Sequence, residues 1–142
     1  MQQDLQQYDL LDLISNRHIQ LRKITEDIWN NTNQLNISNS EWYIISKIYK
    51  EKPTIAYITK HVNTSRQATH KNIKSLESKG LVTIHNSIYN KKDKCIQLTA
   101  FGEECYETYI AIKTTLEEKI TATIGAEQLE TLKNILKIDW VL

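Results

Sequence analysis

With 142 residues, 40% of them hydrophobic and 25% charged, the chain can form one domain with its own core, and nothing in its composition suggests a disordered tail or a disulfide scaffold. Three glycines and one proline leave few breakers, so helix should predominate. The net charge of +1 argues against a polyanionic partner until its placement is counted: residues 60–94 hold eight Lys/Arg against two Asp/Glu, a local +6, while residues 1–59 carry −1 and residues 95–142 carry −4. A solvated charged face is the bland alternative for that basic quarter of the chain.

The first segment, MQQDLQQYDLLDLISNRH, has neither a basic leader nor an uninterrupted apolar run, and a cytosolic location is expected. From about Asp4 to Asn30, Leu10, Ile14, Leu21, Ile24 and Ile28 recur at helical spacing with His18 among them, while Leu5, Tyr8 and Ile19 fall on another face. A helix apolar on two faces needs two partners, its own core and a second subunit. After NNTNQLN, the stretch SNSEWYIISKIYKE offers Ser/Asn caps and places Trp42, Ile45 and Tyr49 on one face of a short helix that Lys52-Pro53 ends. Thr54 can cap a following helix that buries Ile55, Ile58 and Val62, and NTS then makes the turn into SRQATHKNIKSLESKGLV. Two short helices joined by a tight turn form a helix-turn-helix pattern.

In that second helix Thr69, Ile73 and Leu76 share one face with Asn72, which leaves Gln67, His70, Lys71 and Lys74 pointing away from the core. Gly80 fits a left-handed C-terminal cap. Two strands, Leu81 to Asn86 and Lys94 to Leu98, should enclose a loop with Asn90, Lys91, Lys92 and Asp93 near its tip. Thr99 can cap a long helix whose Cys105, Tyr109, Ile112, Leu116 and Ile120 repeat every three or four residues, and Gly125 separates it from a last helix with Leu129, Leu132, Ile135 and Leu136.

The order of these elements and four local stretches, LNISNSEWYII, SRQATHKNIKSLESKGLV, the basic hairpin and LTAFG, resemble the MarR family of bacterial regulators. The likeness spans nearly the whole chain and is specific between about Leu35 and Gly102. It implies a mainly α fold with a small β-hairpin wing: a winged helix-turn-helix DNA-binding lobe over residues 35–99, with residues 1–34 and 100–142 forming a helical dimerisation region. It also implies a homodimeric, sequence-specific regulator on a pseudo-palindromic operator; such regulators often respond to small aromatic ligands or to thiol oxidation, but no binding motif for an effector is visible here. Repression is expected because a dimer covering a promoter blocks polymerase without further machinery. Where the family's wing tip carries Asp-Arg-Arg, this chain has Asn90, Lys91 and Lys92. Lysine is a hydrated point charge without arginine's flat guanidinium, so this wing should hold phosphates more than read groove width.

The candidate DNA-binding residues are Ser65, Arg66, Gln67, His70, Lys71 and Lys74 on the recognition helix, with Lys91, Lys92 and Lys94 on the wing. Ser65 and the free amides of the helix N-terminus suit a phosphate; Arg suits guanine O6/N7 and Gln adenine N6/N7. His18 and Trp42 are candidates for lining an effector pocket between the dimer helices and the lobe, against the alternative of packed core residues. His85 and Cys95 can face each other across the hairpin, but two ligands do not make a metal site. Cys105 lies near Glu103 and Glu104, which should raise its thiol pKa and leave it inert. No Ser/His/Asp grouping, phosphate-binding glycine loop or carboxylate pair supports catalysis, and no cofactor is expected. The rival to a regulator is a winged-helix module that binds another protein through the same surface.

Overall fold

The computed structural model describes residues 6–62, 64–89 and 92–142. Its elements run α1 (Leu10–Thr32), α2 (Asn39–Ile48), α3 (Ile55–His61), α4 (Arg66–Ser78), β1 (Val82–Asn86), β2 (Lys94–Leu98), α5 (Ala100–Ile124) and α6 (Ala126–Lys137). Short polar side chains start all the helices but the last. Asp9, Thr54, Ser65 and Thr99 each accept a hydrogen bond from the backbone amide three residues on, which satisfies one of the free donors of the first turn. Ser38 and Glu41 form a reciprocal capping box on α2. α6 starts at Gly125 (φ 91°) with no side-chain cap.

The core lies where α2, α3 and α4 close on the hairpin and on the first half of α5. Ile45, Ile48, Ile58, Leu76, Leu81 and Ile96 are fully buried there, with Thr69 among them. Aromatic rings extend the core towards α1: Trp29 meets Trp42 edge-on at 4.9 Å between centroids, and Trp42 stacks on Tyr109 at 4.0 Å. The strands pair antiparallel in register, with Val82 opposite Leu98 and Ile84 opposite Ile96 on the core side. The Pro53-Thr54 segment adds a short third edge, its Pro53 carbonyl accepting from the Ile96 amide and Thr54 bridging to Cys95. That edge fixes α3, and through the turn α4, relative to the wing.

Two expectations need correction. α1 begins at Leu10, because Asp9 caps it by accepting from the Asp12 amide; Leu5 lies outside the described residues. β1 begins at Val82, since the Leu81 amide closes the exit of α4 on the Leu76 carbonyl instead of joining the ladder. On α5 the buried positions end at Tyr109, and Ile112, Leu116 and Ile120 are half-buried. Beyond the lobe, Leu10 is 62% and Ile14 41% exposed on α1, and Leu132, Ile135 and Leu136 are 46–54% exposed on α6.

Candidate nucleic-acid interface

α4 presents its two faces as the sequence spacing requires. Thr69, Ile73 and Leu76 are buried and Asn72 half-buried, while Ser65, Arg66, Gln67, His70, Lys71 and Lys74 are all exposed. At its start, the Ser65 oxygen accepts from the Ala68 amide at 3.1 Å, so the hydroxyl proton and the remaining amides of the first turn can be donated to an anion. At its end, Gly80 adopts φ 75°. The Gly80 amide donates to the Glu77 carbonyl and the Leu81 amide to the Leu76 carbonyl, both at 3.0 Å, a Schellman exit that turns the chain into β1. The Thr99 hydroxyl donates to the Gly80 carbonyl at 2.7 Å, which ties this exit to the start of α5.

A shallow groove of about 270 Å³ runs between α3, α4 and the hairpin, and Arg66, His70, Lys92 and Lys94 share it with Thr54 and Thr59. Side chains from two separate parts of the sequence thus edge one concavity. Lys92 and Lys94 are exposed; Lys91 and Asn90 fall outside the described residues. The Ser87 amide donates to the Asp93 carbonyl at 2.8 Å and narrows the loop. Thr54 and Thr59 were not foreseen as part of this surface. Thr59 is half-buried beside Ile58 and donates to the Ile55 carbonyl at 2.9 Å, a position that spacing in a seven-residue helix does not single out.

α4 is held from the side by a buried ionic joint. Glu41 of α2 is 4% exposed and accepts from the Ser38 amide, from the Ser75 hydroxyl at 3.0 Å, and from Lys79 Nζ at 2.8 and 2.9 Å through its two oxygens. Burial opposes ionisation of this carboxyl, but the hydrogen bonds from Lys79, the Ser38 amide and Ser75, with the charge of Lys79, outweigh it and hold the pKa below its ordinary value. No buried side-chain nitrogen or oxygen among the described residues lacks a partner.

The remaining candidates separate from this surface. Trp42 is 3% exposed and enclosed by Trp29 and Tyr109, so its ring is core and not the wall of an open pocket. His18 is exposed on α1. His85 is opposite Cys95 in the hairpin register, but its ring shares a hydrogen bond with the Thr83 hydroxyl and Cys95 is buried. No group of three or more His, Cys, Asp or Glu side chains among the described residues could hold a metal ion. Burial, and then the charge of Glu104, raise the Cys105 thiol pKa, which disfavours the reactive thiolate. No helix among the described residues is long and apolar enough to cross a membrane.

No family model matches the chain. It is 29% identical over 117 residues, 80% of its length and 78% of the relative's, to an uncharacterized HTH-type transcriptional regulator of Staphylococcus aureus. It is 27% identical over 131 residues, 91% of its length and 85% of the relative's, to the S. aureus HTH-type transcriptional regulator TcaR. Among solved structures it superposes on Streptococcus pneumoniae FabT in complex with DNA with a TM-score of 0.78 at 18% identity, over 89% of this chain and 90% of that one. It superposes on wild-type E. coli MarR with a TM-score of 0.74 at 18% identity, over 92% and 96%.

Proposed function

We propose that this chain, which has the winged helix-turn-helix fold of the MarR regulators and is similar in sequence to HTH-type transcriptional regulators, binds operator DNA in a sequence-specific manner as a homodimeric repressor. One observation carries the reading: exposed Arg66 and His70 of α4 meet Lys92 and Lys94 of the hairpin around one groove, in the quarter of the chain that is strongly basic. α4 enters a major groove with Arg66, Gln67 and His70 towards base edges, and Ser65, Lys71 and Lys74 hold phosphates. The wing lysines, Lys91 included, reach the flanking backbone.

The arrangement of two copies follows from what a single chain leaves uncovered. Leu10 and Ile14 on α1 and Leu132, Ile135 and Leu136 on α6 expose apolar side chains on the segments outside the lobe, and a symmetric pairing of residues 1–34 and 100–142 covers them. Two lobes, each spanning residues 35–99, then face two half-sites of an inverted repeat. Repression needs only that the pair occupies a promoter. Release by a small aromatic effector belongs to the same reading, and of the two candidate effector residues, His18 and Trp42, only His18 is accessible.

Selection of bound sequences from random duplexes tests the proposal. Enrichment of an inverted repeat, with affinity falling steeply as salt rises, is the expected result. A salt-insensitive complex with a protein, and no enriched sequence, would replace it with the interaction-module reading.

A further inference from the structure

We infer that Glu41 and Lys79 are positioning residues for DNA reading: they form a rotational lock that holds the recognition helix in register with α1, without touching DNA. The inference rests on the DNA-binding reading above. α4 sits on the core along a narrow line, Thr69, Ile73 and Leu76, which prevents it from lifting away but resists rotation about its own axis only weakly. Ser75 and Lys79 lie one turn apart, about a quarter to a third of a turn around the helix from that line, and both are gripped by Glu41. The grip is complete in hydrogen-bonding terms. Lys79 Nζ donates to both Glu41 oxygens and, at 2.6 Å, to the Asn36 carbonyl, which uses its three protons. The Glu41 oxygens also receive the Ser38 amide and the Ser75 hydroxyl.

The Asn36 contact carries the lock to the connection with α1. Asn36 lies in the connection between α1 and α2, and the neighbouring Leu35 carbonyl accepts the indole proton of Trp29 at 2.8 Å. Trp29 is itself buried near the end of α1. A hydrogen-bonded path therefore runs from α1 through residues 35 and 36 to the last turn of α4. Base-reading side chains must be held within about 0.5 Å and 10–20° of their productive geometry. A helix free to turn on a single apolar line would lose that precision while keeping its fold and its charge.

The test compares Glu41→Gln, and Glu41→Gln combined with Lys79→Met, with the wild-type full chain. The double change leaves no buried charge unpaired; the single change keeps one oxygen for the Ser38 amide and sets an NH2 against Ser75, whose hydroxyl can accept from it. Affinity is measured for the duplex selected by the wild-type protein and for a scrambled duplex of equal length, at a temperature where circular dichroism shows every variant folded. The expected result is a loss of about tenfold for the selected duplex with binding to the scrambled duplex unchanged. Equal loss on both duplexes, or no loss on either, would overturn the inference. Should the double variant fail to fold, the single variant decides by the same comparison. A wild-type protein that selects no sequence removes the DNA reading and this inference together, whereas normal selection with unaffected variants removes the lock alone.

Discussion

Replacing Gly102 by alanine should be among the most damaging single-methyl additions to this chain, and the reason is local. Gly102 lies in the first turn of α5, where a Cβ would sit 2.1 Å from the Leu81 carbonyl oxygen and 3.0 Å from Leu98 Cδ2. A comfortable C···O separation is about 3.3 Å, so the turn and the start of the hairpin must part by about 1 Å. The atom in the way is backbone, and it already accepts a hydrogen bond from the Thr99 amide at 3.0 Å. Overpacking costs about 1–3 kcal/mol, and weakening that bond adds about 1 kcal/mol. The better helix propensity of alanine returns about 1 kcal/mol. A net loss of about 1–3 kcal/mol should lower the melting temperature of a chain of this size by about 4–12 °C. Thermal unfolding followed by far-UV circular dichroism measures it, with Gly80→Ala as the comparator. Gly80 has φ 75° but open space around it, so its cost is only the left-handed backbone strain of about 1 kcal/mol. Melting of Gly102→Ala within about 2 °C of wild type, or a larger loss for Gly80→Ala, would refute the packing argument.

Arg66→Ala and Gln67→Ala should flatten preference at particular base pairs of each half-site by about 1–3 kcal/mol per bidentate pairing, whereas Lys74→Ala should weaken all sequences alike; binding to every single-base variant of the selected site decides, and uniform losses for both Arg66→Ala and Gln67→Ala would contradict the division. Lys92→Ala with Lys94→Ala should make log affinity against log salt shallower by about 0.9 for each phosphate that is no longer neutralised, and an unchanged slope with altered sequence preference would point instead to groove reading. The Glu41 carboxyl has a folded pKa below its ordinary value, so its contribution is complete above the unfolded pKa of about 4.3 and is lost as pH falls through the lower folded value. Stability of wild type should accordingly fall more steeply below about pH 4.3 than that of Glu41→Gln; parallel profiles in denaturant unfolding would contradict the shift. Ile135→Glu, placed on the exposed apolar face of α6, should convert a dimer to a monomer in sedimentation at micromolar concentration, and a wild-type chain that sediments as a monomer would remove the two-fold arrangement.

The sequence was most legible where one residue type has one physical use. Ser38, Thr54, Ser65 and Thr99 announce helix starts because a short oxygen accepts a first-turn amide, and Gly80 announces the exit because a positive φ suits no other residue as well. The two faces of α4 followed from spacing alone. Legibility fell where a third element intervenes. Trp42 could be an effector-facing ring or core until the approach of Tyr109 from α5 filled the space. Where the buried positions of α5 end depends on which elements pack against it, which periodicity does not contain. Glu41 reads in sequence as a capping-box acid, and its second role requires Ser75 and Lys79, more than thirty positions away, to fold against it. The residues proposed to touch DNA are exposed as the spacing requires, but exposure is shared by any solvated face, and only the groove that joins Arg66 and His70 to the hairpin lysines separates the two.

The aromatic contacts at the junction of α1, α2 and α5 also give the molecule an optical property. Trp29 and Trp42 are held almost perpendicular, with an interplanar angle of 86°, and Trp42 lies parallel to Tyr109 within 5°. Chromophores packed this closely in a chiral, fixed arrangement couple their transitions, so their near-ultraviolet dichroism depends on angles set by three helices at once. Trp140, 40% exposed and hydrogen-bonded to the Ile135 carbonyl at the far end of α6, stands apart as an emitter in a wetter setting. The indole rings of the unlabelled protein therefore sit in two different settings, one at the seat of α1 against α2 and α5 and one at the C-terminal end.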